Sequence, residues 1–366
     1  MISNARAKEI LLAIVNNQSL EVKEDMKEVC KVFGDQALIY PLYNVFHADG
    51  LKKYYLSGVI TKQYQDEALE EIKSLFNENG IDFILLKGSF IKNFYPDHFF
   101  RLMGDIDILV RKKDFEHANE ILIKNNFTCG KEGFHHIEFQ KNNIALELHH
   151  QLFSTQHSWI PFFHNPWDNA HVARNHEYEF DPIFFYLYQL AHLANHMIAY
   201  GAGIRPYIDF YYLFQNYPVE MDEFMQKANE IGLGKFLNSV LHIVDYLFDY
   251  APYKYVKIKS IEAYLAHIME AGVHGHSSNH NQYANMMAGA RQSKFKFYIK
   301  TLFPNREKMK KRYPYLKKYP ILFPFARIHR VFVCLFFRRK EAKKLRQADA
   351  QKNKLIKLYD DIGLYK

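Results

Sequence analysis

Two acids one residue apart, Asp105 and Asp107 in the run Gly104-Asp-Ile-Asp-Ile-Leu-Val110, are the residues of this chain best suited to chemistry. The run alternates polar and apolar side chains, the period of a strand with one buried face. On such a strand Asp105 and Asp107 point the same way. Two adjacent carboxylates repel, and keeping both ionised is costly unless a cation lies between them; a divalent metal is the natural resolution. Upstream, the apolar run Asp82 to Leu86 stops at Lys87-Gly88-Ser89, where glycine permits a tight turn whose free N–H groups can face a phosphate. The chemistry implied is that of a metal beside a phosphate.

A third acid follows in Ile144-Ala-Leu-Glu-Leu-His149, where Glu147 stands between apolar neighbours. A lone buried carboxylate in a strand needs a partner. If this strand lies beside the Asp-Ile-Asp strand, Glu147 completes a carboxylate cluster; if it lies at an edge, Glu147 faces water.

The elements that must position these residues are legible around them. From Gln63 to Asn79, apolar residues recur at helical spacing (Ala68, Leu69, Ile72, Leu75, Phe76), and Asn79-Gly80 closes the segment. A short helix follows the Gly88-Ser89 turn. Lys113 to Asn125 carries a second helical stripe, and the strand-like runs Phe134–Gln140 and Ile144–His149 are separated by Lys141-Asn142-Asn143, good hairpin chemistry. The expected core order is α-β-turn-α-β-α-β-β. Residues 1–60 read as helical, a cap on that core. From Asp181 onward the chain reads as successive helices, and the expected boundary falls between Phe153 and Asp181.

The first of those helices, Ile183 to Tyr200, places His192 and His196 one turn apart. The pair could hold a metal, but no glutamate follows His192 as in a metalloprotease helix, and packing or substrate contact is the competing reading. Ile204-Arg-Pro-Tyr-Ile-Asp209 begins the next helix, and a further helical pair spans Met221 to Tyr250. Gly272-Val-His-Gly-His276, extended by His280, is a loop whose composition resembles a metal tract. Glu341 to Tyr359 reads as a polar helix with little core-forming content.

At 366 residues the chain has length for two domains, with 48% hydrophobic residues to fill them. Its net charge of +8 is unevenly spread: residues 291–346 hold 19 Lys or Arg against Glu307 and Glu341, so the rest of the chain is net acidic. That basic region, interleaved with Tyr313, Tyr315 and Tyr319, points either to a polyanion or to solvated helix faces. Its prolines at 304, 314, 320 and 324 exclude one long helix. Cys30, Cys129 and Cys334 are too few and too scattered for a disulfide framework or a cysteine zinc site, which fits a cytoplasmic protein. The longest aromatic-aliphatic run, Val331 to Phe337, is far below the roughly 20 residues of a spanning helix, so no transmembrane segment is expected.

In order, Gly88-Ser89, Asp105-x-Asp107 and the strand acid Glu147 resemble the DNA polymerase β-type nucleotidyltransferase superfamily over about residues 63–150. More narrowly, Leu86-Lys87-Gly88, Tyr95-Pro96, the run Arg101 to Val110 and Glu147-Leu148-His149 resemble the bacterial family of uncharacterised nucleotidyltransferases often associated with cell-surface polysaccharide loci. That resemblance extends to the helices at 183–215. Two features depart from the superfamily pattern: fifteen residues separate Ser89 from Asp105, a longer gap than usual, and the third acid is Glu where Asp is commoner.

The resemblance implies an α+β protein with a polymerase β-like nucleotidyltransferase fold, a small mixed sheet flanked by helices, and an additional helical domain. The parts would be an N-terminal helical cap (1–62), the nucleotidyltransferase core (63–180) and a helical domain with the basic C-terminal region (181–366). It implies Mg²⁺, or Mn²⁺, held by Asp105, Asp107 and Glu147 as metal-binding and catalytic residues. Lys87, Gly88, Ser89 and Arg101 would bind the nucleotide phosphates, and His149, His192, His196 and Arg205 would contact substrate. The partners implied are an NTP and an acceptor that is a small molecule, RNA or protein. Transfer to RNA or protein, as in a toxin-like enzyme, and nucleotide binding without turnover are the alternatives to small-molecule transfer.

Overall fold

A computed structural model of the chain describes residues 2–97, 100–133, 135–153, 157–273, 275, 303–304, 306–337 and 352–364. Four N-terminal helices, α1 (Asn4–Val15), α2 (Met26–Asp35), α3 (Leu42–Phe46) and α4 (Asp49–Glu78), lead into the sheet. The strands are β1 (Phe83–Leu85), β2 (Ile106–Val110), β3 (Thr128–Glu132), β4 (His136–Lys141), β5 (Ile144–His149), β6 (Ala170–Arg174) and β7 (Glu177–Phe180). Helix α5 (Lys87–Ile91) separates β1 from β2, and α6 (Phe115–Lys124) separates β2 from β3. The strands form one mixed sheet in the order β3-β4-β5-β2-β1-β7-β6. Flanked by helices, with a further helical region, it has the polymerase β-like architecture.

The register of this sheet decides where the acids go. β2 runs antiparallel to β1 and parallel to β5, and Asp107 stands directly opposite Glu147. The strand carrying Glu147 is therefore interior, and the edge alternative fails. β4 pairs antiparallel with β5 through a tight hairpin in which Asn142 and Asn143 both take positive φ, 50° and 64°. Asparagine tolerates that left-handed backbone, and such turns match strand twist. Every residue of β2 is buried, as expected of a central strand covered on both faces.

Three strands were not expected. All of β3 is exposed, so it carries no apolar alternation to betray it. The β6–β7 hairpin falls in the segment read as a boundary. It instead extends the sheet, with β7 parallel to β1 and Asn175 at a positive φ in its turn. Helix α4 begins at Asp49 rather than Gln63. Its early turns lie over Tyr40, and a Cβ at Gly58 would meet that ring at 3.0 Å, so glycine permits the close approach.

Helices α7 (Pro182–Ala199), α8 (Arg205–Asn216), α9 (Met221–Glu230), α10 (Gly234–Phe248) and α11 (Ile261–Ala271) follow. The N-terminal helices pack into this group. Gln36, fully buried at the end of α2, donates to Met269 O at 2.9 Å and accepts from the Ile204 N–H at 2.8 Å. Apolar residues from Ile10 to Leu364 form one continuous core. The chain end belongs to it, because Tyr359 and Ile362 are fully buried and the Tyr359 hydroxyl donates to Met197 O at 2.7 Å. The expected lack of core-forming content there is corrected: the polar pattern stops short of this final turn.

The basic region contributes the helices Arg306–Arg312, Tyr315–Lys318 and Phe323–Phe337, broken at its prolines, with a small core of Met309, Leu316 and Ala326. The histidines at 274, 276 and 280 lie outside the described residues. Among the described residues no helix is long and apolar enough to cross a membrane.

Candidate active site

The turn after β1 is built around Lys87, which takes a positive φ of 46°. A non-glycine residue in that conformation is uncommon and is held there by its surroundings. Here the Leu86 N–H donates to Asp107 O at 3.0 Å, and the Asp107 N–H donates to Ser89 Oγ at 3.2 Å. Both backbone groups of Asp107 are thus tied to the turn, which brings Lys87 Nζ to 2.7 Å from Asp107 Oδ1. The approach to Asp105 is fixed from the other side. Buried Gln65 on α4 donates to Met103 O at 2.6 Å and accepts from the Met103 N–H at 3.1 Å.

On the sheet face, His149 Nε2 donates to Asp107 Oδ1 at 2.8 Å and lies 3.2 Å from Glu147 Oε2. Asp107, Glu147 and His149 offer donor atoms that all lie within 4.8 Å of one another. Asp105 stands one residue before β2 and is not in that group; it lines the adjoining cavity instead.

These neighbours set the protonation states. Burial pushes the Asp107 carboxyl up, but the Lys87 ammonium and the His149 hydrogen bond outweigh it, so Asp107 lies well below the usual carboxylate range. Burial and then the negative charge of Asp107 raise Asp105 to about 6. Burial opposes charge on Lys87, yet Asp107 holds its pKa above the ordinary value. For Glu147, burial is outweighed by the hydrogen bond from His149, and its pKa is lowered. His149 is raised, because the bonds to Asp107 and Glu147 overcome its burial. One carboxylate is compensated by a built-in cation, and its neighbour is left partly protonated at mild acidity.

Beyond the acids opens a cavity of about 570 Å³, walled on one side by Lys87, Gly88, Asp105 and Asp107 and on the other by α7 and α8. His192, His196 and Arg205 all line that second wall. The two histidine rings are 4.4 Å apart. Burial, then the neighbouring His196, keeps His192 neutral far below its ordinary pKa; burial and Lys87 bring His196 down to about 4. Among the described residues no third donor group converges on them as a metal site. Arg205 is buried, its guanidinium donates to Leu102 O, and its Nε has no partner. Burial and the nearby Arg101 lower it to about 10.

Two expected phosphate ligands are otherwise engaged. Ser89 is fully buried, with its hydroxyl accepting from Asp107 and 3.5 Å from Met103 Sδ, so it positions the strand and does not reach the cavity. Arg101 lines the cavity but makes a two-pronged pair with Asp209 of α8, at 2.6 and 2.8 Å, and Tyr95 donates to the same carboxylate at 2.5 Å. This cluster joins the sheet to the helical wall. Sequence reasoning missed Asp209, since nothing local pairs it with an arginine 108 positions earlier. It also missed His135, just before β4, and His136, its first residue, where adjacent histidines beside His149 were the available signal.

A family model described as "uncharacterised nucleotidyltransferase" matches residues 47–249, more than half of the chain. No curated protein and no solved structure matches it.

Proposed function

The chain belongs to the uncharacterised nucleotidyltransferase family, and from that premise we propose that it transfers a nucleoside monophosphate from an NTP to an acceptor hydroxyl or phosphate, releasing pyrophosphate. The observation that carries this reading is the register of β2 against β5. It sets Asp107 opposite Glu147, and Asp107, Asp105 and Lys87 at the preceding turn line one end of a cavity.

The residues fit a hard divalent cation. Asp105, Asp107 and Glu147 supply oxygen donors, the preferred ligands of Mg²⁺; burial and then repulsion from Asp107 hold Asp105 near 6, and such a cation relieves the repulsion. When bound, Mg²⁺ or Mn²⁺ supplies charge neutralisation at the triphosphate. The protein's own groups do the rest. Lys87 and the Gly88 turn present a cation and backbone N–H donors to phosphate oxygens. Arg205, with a free Nε on the opposite wall, orients an anionic group of the nucleotide or the acceptor. His192 and His196, neutral at pH 7, offer uncharged hydrogen-bonding groups to a hydroxylated acceptor. His149 holds Asp107 and Glu147 in place. The lack of a disulfide framework fits a cytoplasmic setting, and surface-polysaccharide metabolism is the pathway class in which we place the acceptor.

The test is pyrophosphate release from each NTP with Mg²⁺ and cell extract, followed by identification of the labelled product. Asp105→Ala and Asp107→Ala should abolish turnover and leave the fold intact; unchanged NTP consumption in both would overturn the assignment. A labelled small molecule supports sugar-phosphate activation. A second reading has RNA as acceptor, favoured by exposed Tyr315, Tyr319 and Phe325 among Lys317, Lys318 and Arg327. It requires RNA binding that weakens steeply with salt. Nucleotide binding by calorimetry without pyrophosphate release would instead mark a non-catalytic protein.

A further inference from the structure

Next to the acids lies a group of three imidazoles, of which the nucleotidyl-transfer reading uses His149 alone, to hold Asp107 and Glu147. His135 precedes β4, His136 is its first residue, and His149 ends β5 directly opposite His136. The three rings pack at centroid separations of 4.6, 5.2 and 5.4 Å. His136 Nδ1 faces His135 Nε2 at 3.3 Å, and His136 Nε2 lies 3.6 Å from Glu147 Oε1. Each ring offers a nitrogen within 4.8 Å of those of the other two.

The polar inventory of this group is incomplete. Among the described residues His135 Nδ1 and His149 Nδ1 are buried with no hydrogen-bond partner, and the His149 side chain is only 2% exposed. A buried imidazole nitrogen without a partner is destabilising, so two at one place need an explanation. The backbone also makes room for the rings. A Cβ at Gly133 would meet the His136 ring at 3.0 Å, and the β3–β4 pairing shifts register between Cys129 and Glu132, which delivers Gly133 to that position.

We propose that His135, His136 and His149, with Glu147 as an oxygen donor, form a site for a nitrogen-preferring divalent transition metal of the Zn²⁺ or Co²⁺ type. Imidazole suits these metals, whereas Mg²⁺ takes oxygen ligands. Zinc–nitrogen bonds of about 2.0–2.1 Å place ligand atoms of a tetrahedron about 3.4 Å apart. The His135–His136 nitrogens already stand at 3.3 Å, and rotation of the half-buried rings on β4 closes the remainder. The site adjoins the Asp105–Asp107 end and shares Glu147 and His149 with it.

Co²⁺ alone is the probe. The full chain, stripped with chelator and titrated with Co²⁺, should develop the visible d–d absorption of a nitrogen-ligated ion at one Co²⁺ per chain, and excess Mg²⁺ should leave that band in place. His135→Ala/His136→Ala should weaken Co²⁺ binding at least tenfold while thermal unfolding by circular dichroism stays cooperative; His135→Gln/His136→Gln serves if the alanine pair does not fold. Asp105→Ala should retain the band. The proposal is overturned if the wild type shows no such band, if the histidine variants bind Co²⁺ like wild type, or if Mg²⁺ displaces Co²⁺ at comparable concentration.

Discussion

Lys87→Met isolates the part of the site that the structure explains most fully. The substitution keeps a side chain of similar length but removes the ammonium 2.7 Å from Asp107 Oδ1. Removing one member of a buried ion pair costs about 3–5 kcal/mol. Lys87 retains 22% side-chain exposure and His149 still donates to Asp107 at 2.8 Å, so the expected cost at pH 7 is lower, about 2–3 kcal/mol. With roughly 2.1 cal/mol/K of unfolding entropy per residue over 366 residues, that is a fall in Tm of roughly 3–4 °C. The pH dependence is more diagnostic. Asp107 is held low in the folded state largely by Lys87, so its stabilisation is present above the unfolded carboxylate pKa and lost as pH falls. Asp105, already near 6 with Lys87 in place, moves higher in the variant and takes up a proton as pH drops. The Asp107 effect falls below the unfolded carboxylate pKa, so between pH 7.5 and 4.5 it is proton uptake by Asp105 that makes the deficit largest near neutrality and smaller towards acid. Millimolar Mg²⁺ should raise the Tm of the variant more than that of the wild type, because the metal then meets uncompensated carboxylates. Thermal unfolding at pH 4.5, 6 and 7.5, with and without Mg²⁺, checks each point. An unchanged Tm at pH 7.5, or a deficit independent of both pH and Mg²⁺, would refute the account of Lys87 as the resident counter-ion.

Three further outcomes follow from the same geometry. Because Asp105 is raised to about 6 by burial and Asp107, its contribution to the stability of the metal-free protein declines as pH rises from the unfolded value to about 6 and is constant above. Mg²⁺ affinity, which needs the ionised form, should fall about tenfold per unit below pH 6 in calorimetric titration. Gln65→Ala strands the buried N–H and carbonyl of Met103, which should cost about 2–4 kcal/mol in denaturant unfolding and weaken Mg²⁺ binding by loosening the approach to Asp105. Gly203→Ala places a Cβ 2.4 Å from Gln36 Oε1 and 2.7 Å from the Gly272 carbonyl; overpacking there should cost about 1–3 kcal/mol in a thermal melt.

The chemical half of the site was legible because its signals are local. Alternation marked β2 and β5, and the Asn142-Asn143 turn marked their neighbour, so Asp105, Asp107 and Glu147 stand out as acids in or beside strands, while the register of β2 against β5 is what brings Asp107 and Glu147 together. What failed had no local mark. β3 is wholly exposed, and the first turns of α4 bury little beyond Leu51 and Gly58, so neither shows an apolar period. Ser89 and Arg101 were recognisable by type, but their partners are decided by packing. A hydroxyl at a glycine turn faces either a ligand or the adjacent strand, and only the 3.2 Å bond from the Asp107 N–H distinguishes them. Arg101 reads as a phosphate ligand until α8 brings Asp209 against it.

That loss of Arg101 changes how charge is laid out across the cavity. Lys87 is matched by Asp107 and Arg101 by Asp209, leaving Asp105 without a cationic hydrogen-bond partner on the sheet wall. Opposite it stands Arg205, with no carboxylate paired to it among the described residues and an unpartnered Nε. Burial disfavours both charges, raising Asp105 to about 6 and lowering Arg205 to about 10. A ligand that brings positive charge to one wall and negative charge to the other relieves both at once, and a magnesium-bound triphosphate, or a nucleotide facing an anionic acceptor, has that polarity. The histidine cluster lies on the far side of Asp107, joined to it through His149. Whatever binds there acts on the one carboxylate that is already compensated, and so on the orientation of Asp107 and Glu147 more than on the charge of the cavity.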